Sequence, residues 1–163
     1  MKKIICLSAI AGSGKSTYAK HYKMNHTDEN VFIVSSDEIR KELTGVYSNL
    51  NYEKEVWDIY FRKINIIRDS NEDVTIIADS TNILNKFRKQ LGIIEGFDKK
   101  ELVVITKDLP LILKRNRERD HAKYVPEYAI KNMWDSWEEV DEETAKLFDE
   151  VIRIDGWFDK ENI

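Results

Sequence analysis

The chain has 163 residues, a net charge of −4, one cysteine and 42% hydrophobic residues. Those values exclude a disordered chain, an internal disulfide and a cysteine-built metal cage. They also exclude a broad basic face gripping long duplex nucleic acid, and leave a small ligand or the end of a strand as the fitting partner.

The elements read off in order. Residues 3–8 form a first apolar strand, followed by a glycine-rich turn and a helix to about residue 23. Residues 25–30 are polar and connect to the run Val31, Phe32, Ile33, Val34, the pattern of a strand buried on both faces. A short helix follows, with Ser36 or Asp37 as its cap and Gly45 closing it. Between residues 51 and 69, Val56, Ile59, Tyr60, Ile64 and Ile67 recur at helical spacing. Residues 74–78 form the third strand and lead into Asp79-Ser80-Thr81-Asn82. A helix is expected over 84–94, a strand over 102–106 and a helix over 109–119 with Pro110 in its first turn. Beyond a basic connection come a helix over 126–138, an acidic segment with a short helix, and a last strand over 151–154.

Five β runs separated by helices predict an α/β domain, residues 1–163, with a parallel five-stranded sheet flanked by helices. Such sheets bind ligands beyond the carboxyl ends of their strands. No apolar run approaches the ~20 residues of a membrane span, so no membrane partner is expected. Too few apolar residues follow Met1-Lys2-Lys3 for a signal peptide, and a cytoplasmic protein is expected. Cys6 reads as a buried strand residue. His21, His26 and His121 share no metal-ligand spacing, and Trp134 and Trp137 read as packing residues.

Residues 9–17, Ala-Ile-Ala-Gly-Ser-Gly-Lys-Ser-Thr, stand between the first strand and the first helix. Strand, glycine-rich turn, Gly-Lys-Ser and helix is the context of a phosphate-binding loop. Gly12 and Gly14 let backbone N–H groups approach an anion without a Cβ in the way. The helix aims its positive end at the same anion. Gly12, Ser13, Gly14, Lys15, Ser16 and Thr17 are therefore the expected ATP site, with Lys15 on the β- and γ-phosphates and Ser16 on Mg²⁺. Ala9 stands where the pattern has its first glycine, and a negative φ is expected there.

Three further groups carry chemistry. Asp37 follows the second strand, where a carboxylate can take the proton of an attacking hydroxyl. Arg40, three residues on, can hold a phosphate of the acceptor; the alternative is a helix cap and a solvated arginine. Asp79 can hold Mg²⁺ through water or, with Asn82, face the substrate; the alternative is a strand-end turn. Arg115 and Arg119, four apart in a basic run, can close over ATP from a lid spanning about residues 115–126; the alternative is a solvated charged face.

These residues resemble the kinase domain of bacteriophage polynucleotide 5′-hydroxyl kinases, within a phosphate-loop kinase group that includes zeta-toxin-like enzymes. The resemblance runs through Met1-Lys2-Lys3-Ile4-Ile5, residues 12–17, Asp37-Glu38-Ile39-Arg40, Asp79-Ser80-Thr81-Asn82, Lys114-Arg115-Asn116 with Arg119, and Val125-Pro126. It implies a sheet of the adenylate-kinase type and a helical lid. It implies Asp37 as general base for a 5′-hydroxyl of RNA or DNA, Arg40 on the acceptor's 3′-phosphate and Arg119 as the lid arginine. Ala9 departs from the pattern, as does the spacing from Arg119 to Val125, which leaves Arg115, Arg117 and Arg119 open for the lid role. A phosphatase domain fused to some relatives has no counterpart in the sequence. Two other functions compete: a kinase of a small metabolite, and a nucleotide-dependent switch. Asn85-Lys86-Phe87-Arg88 fails the guanine motif of a GTPase switch, and Asp79-Ser80-Thr81-Asn82 fails its Asp-x-x-Gly.

Overall fold

The computed structural model describes residues 1–156. Its sheet has five parallel strands, β1 (Lys2–Ala9), β2 (Val31–Ser35), β3 (Val74–Asp79), β4 (Lys99–Thr106) and β5 (Glu150–Asp155), in the order β2-β3-β1-β4-β5. The helices are α1 (Lys15–Asn25), α2 (Ser36–Thr44), α3 (Glu53–Asp69), α4 (Asn85–Gly92), α5 (Leu109–Glu118), α6 (Glu127–Ser136) and α7 (Glu142–Ala145).

Both faces of the sheet are covered, which explains the near-continuous apolar runs. On one face Ile4, Cys6, Ile76, Ala78, Leu102 and Val104 pack under α3, α4 and Phe148, which follows α7. On the other, Ile5, Leu7, Ile77, Val103 and Ile105 pack with Ala19, Tyr18 and Tyr22 of α1. Cys6 is fully buried, and burial pushes its thiol up, so it is an inert core residue.

The register sets the strand ends side by side. Ser35 pairs with Asp79, and the Ala9 amide bonds the Thr81 carbonyl at 2.8 Å. The phosphate loop, the start of α2 and the turn after β3 therefore emerge at one edge. Ala9 ends β1 and is not among the residues of positive φ.

The turn after β3 is fixed from below. Asn82 takes a left-handed φ of 44°, and its amide donates to the Leu7 carbonyl and the Ser80 hydroxyl, both at 2.8 Å. Ser80 meets the Tyr60 hydroxyl at 2.9 Å. Arg88 of α4, fully buried, donates to Ser8 Oγ at 3.0 Å, to the Asn82 carbonyl at 2.9 Å and to Asn85 at 2.8 Å. Its guanidinium lies 4.9 Å from the Trp137 ring centroid. Both amide hydrogens of Asn82, an expected substrate contact, are engaged inside the fold.

Removing the Asn82 amide should unfasten this turn. Asn82→Ala loses two hydrogen bonds and places alanine in a left-handed conformation, a cost of about 2–4 kcal/mol. Urea unfolding followed by circular dichroism measures it; a midpoint equal to wild type would show that the turn is held elsewhere.

Candidate active site

Two helices start at this edge, and their first turns differ. α1 begins at Lys15 directly after Gly14, whose φ is 95°, with no side-chain cap and no acidic residue in its first turn. Its amides are left to an external anion. α2 is capped by Ser35, whose Oγ accepts from the Glu38 amide at 3.3 Å, and carries Asp37 and Glu38 in its first turn. This corrects the expected cap at Ser36 or Asp37. With Ser35 as cap, the Asp37 carboxylate is available to face the loop.

Lys15 is buried between two carboxylates. Its Nζ lies 3.8 Å from Asp37 Oδ2 and 3.6 Å from Asp79 Oδ1. Burial alone would raise the Asp37 carboxyl, but Lys15, Arg40 and Arg119 together hold it below its ordinary 3.8. It is therefore ionised at neutral pH.

The structure also tests a place for Mg²⁺. Ser16 Oγ donates to Asp79 Oδ2 at 3.1 Å, and the buried Asp79 Oδ1 has no hydrogen-bond donor. No cluster of three or more His, Cys, Asp or Glu suited to a metal occurs among the described residues. One hydroxyl and one carboxylate fit a hard cation that completes its shell with phosphate oxygens and water.

Arg115 and Arg119 line a cavity of about 70 Å³ with Gly12, Gly14, Lys15, Ser16 and Thr17. They reach it differently from the helical pairing expected. α5 ends at Glu118, and Arg119 is its C-cap with extended backbone, φ −69° and ψ 156°. Arg119 Nη1 is buried without a hydrogen-bond partner, an orphan donor beside the phosphate loop. Burial lowers the Arg119 guanidinium, Asp37 and Asp79 draw it back up, and Arg115 adds to the lowering. Arg117 points elsewhere and bonds Glu127 at 2.9 Å.

The span expected to form a helical lid, about residues 115–126, is only partly helical. Its only helical part among the described residues is the end of α5 and a 3₁₀ turn, His121–Lys123. Buried Asn116 clasps its base, donating to the Val125 carbonyl at 2.6 Å and accepting from the Val125 amide at 3.0 Å. That clasp gives a physical reason for the Asn116 and Val125 of the lid pattern.

Arg40 departs furthest from expectation. Its Nε and Nη2 grip Glu53 at 3.1 and 2.7 Å, and its Nη1 bonds Asp37 Oδ1 at 2.7 Å. Burial lowers the Arg40 guanidinium, but the bonds to Glu53 and Asp37 outweigh that and raise it. The sequence did not mark Glu53, because thirteen residues and a loop separate it from Arg40. Nor did it mark a larger cavity of about 340 Å³ bounded by Ile10, Ser13, Ile112, Trp134, Trp137 and Asp155. Its walls come from segments distant in sequence.

The AAA domain family AAA_33 matches residues 8–143. The L-seryl-tRNA(Sec) kinase of Methanococcus maripaludis is 29% identical over 142 residues, 83% of this chain. The chain spans about half, 52%, of that relative's length. A chain of the Pnkp1/Rnl/Hen1 RNA repair complex superposes with a TM-score of 0.70 at 20% identity, over 91% of this chain and 46% of that one. A gluconokinase from Sinorhizobium meliloti 1021 superposes with a TM-score of 0.61 at 14% identity, over 99% and 87%. The two structural likenesses show a shared fold.

Gly12 offers a direct check on the loop. Its φ is +90°, and a Cβ there would meet Ile112 Cγ2 at 3.1 Å and the Ile112 carbonyl at 3.3 Å. Gly12→Ala should weaken nucleotide binding by about fivefold or more, the effect of about 1–3 kcal/mol of backbone strain. Titration calorimetry with ATP measures it, and unchanged affinity would remove this loop from the binding site.

Proposed function

The chain is a P-loop kinase of the AAA_33 family, and from that premise we propose that it moves the ATP γ-phosphate to the 5′-hydroxyl end of a nucleic acid strand. One observation carries the reading. An ionised carboxylate, Asp37, stands 3.8 Å from the phosphate-loop lysine at the edge where the γ-phosphate would lie. A curated relative named for a tRNA-borne acceptor supports a nucleic-acid-linked hydroxyl.

The transfer balances simply. The acceptor oxygen forms a bond to the γ-phosphorus, the bond to the β–γ bridging oxygen breaks, and ADP leaves. Asp37 receives the acceptor proton. Lys15 and the orphan Nη1 of Arg119 meet the charge that spreads over the phosphoryl oxygens. Bound Mg²⁺ would screen that charge further, held by Ser16 and Asp79.

A second reading is a hydroxyl with no phosphate beside it, as on a small metabolite. It is favoured by Arg40, whose fork already holds Glu53.

Incubation with labelled ATP and short 5′-hydroxyl RNA and DNA oligonucleotides, against nucleosides, sugars and serine, tests the choice. Label on the oligonucleotide end is expected; label only on a small molecule would put the second reading first. Lys15→Ala should abolish transfer. Arg119→Ala should lower turnover by about 10³-fold, with a smaller effect on ATP affinity. Because Asp37 is held below its ordinary value, it should impose no acid limb on kcat/KM above about pH 4. Arg40→Ala removes one of the charges that hold it down, so the limb should move to higher pH. A limb that stays in place would mean that another group takes the proton.

A further inference from the structure

We propose that Glu53 is a positioning residue for phosphotransfer, and that it holds the Arg40 guanidinium beside Asp37 by filling its Nε–Nη2 fork, which is then closed to an acceptor phosphate. The inference rests on the kinase reading and narrows its acceptor chemistry at this one contact.

Arg40 is 7% exposed and has five N–H donors. Two carboxylates already engage it, Glu53 through Nε and Nη2 and Asp37 through Nη1. Glu53 opens α3, where the positive end of the helix favours a carboxylate. The grip is two-pronged, the arrangement in which guanidinium fixes a carboxylate best. Arg40, Glu53 and Asp37 together carry one net negative charge. A phosphate entering the Nε–Nη2 fork would have to displace Glu53 and would meet Asp37 beside it. The same grip stops Arg40 from turning away, so Asp37 keeps its orientation toward Lys15. Arg40 is then a brace between two helices, with Glu53 as its far anchor.

The test compares two acceptors that share a 5′-hydroxyl, uridine and uridine 3′-phosphate, in the wild type and in Glu53→Gln. The wild type should use both within about threefold in kcat/KM. Glu53→Gln keeps the shape, removes the competing charge and loosens the brace. Uridine should then lose turnover, while uridine 3′-phosphate should gain relative to uridine by about tenfold or more, the scale of one charge-assisted hydrogen bond. A merely structural residue would lower both acceptors together, and that outcome would overturn the proposal. So would a wild type that prefers the 3′-phosphate tenfold and loses the preference in Arg40→Lys. If the wild type phosphorylates neither acceptor, the 5′-hydroxyl reading fails on its own, and binding decides the role of Glu53. Calorimetry with uridine 3′-phosphate on the ADP-loaded protein should then show affinity gained in Glu53→Gln and lost again in Glu53→Gln with Arg40→Ala. Equal affinity in all three would overturn the proposal.

Discussion

A buried ammonium organises this molecule. Lys15 Nζ lies between Asp37 and Asp79, 3.8 and 3.6 Å away, with its side chain 8% exposed. Withdrawing such a charge from water costs several kcal/mol unless opposite charge meets it inside. Asp79 ends β3 and Asp37 follows β2, so the lysine is satisfied only when those strands lie next in line to β1. The sheet order β2-β3-β1 supplies that neighbourhood, and the Ser35–Asp79 register brings both acids to the same height. An arriving triphosphate would find the lysine already oriented.

The same edge uses two helix starts for opposite purposes. The first turn of α1 has neither cap nor acid, so its positive end faces the cavity. The first turn of α2 has both, with Ser35 satisfying the backbone and Asp37 and Glu38 lying in the favourable field of their own helix. One helix thus attracts an anion and its neighbour presents one. The edge sets an uncapped helix start beside a carboxylate.

Arginine has three fates here, decided by what faces each side chain. Arg88 is buried among Ser8, Asn82 and Trp137 and fastens the turn that carries Asp79. Arg40 is gripped by carboxylates and braces Asp37. Arg119 keeps a buried donor with no partner beside the phosphate loop. Burial without a partner is costly for a polar group, and such a donor is the one that a ligand can reward.

Much of this was legible in the linear order of residues. Period, turn chemistry and the spacing of Gly12, Gly14, Lys15 and Ser16 determined a parallel α/β sheet with a phosphate loop after its first strand. These are local signals, written in neighbours that fold together. They also marked Asp37, Asp79, Arg115 and Arg119 as polar groups past strand ends. What the sequence could not determine was the partner of each group. Asn82 reads as a turn or a substrate contact until Leu7 and Ser80 are seen to hold its amide. Arg40 reads as a phosphate ligand until Glu53, on another helix, fills its fork. Arg119 reads as a helical residue until α5 ends before it. Only the tertiary structure supplied these partners, because the free energy of a charged or hydrogen-bonding group depends on what surrounds it in space, and those surroundings come from segments far apart in the chain.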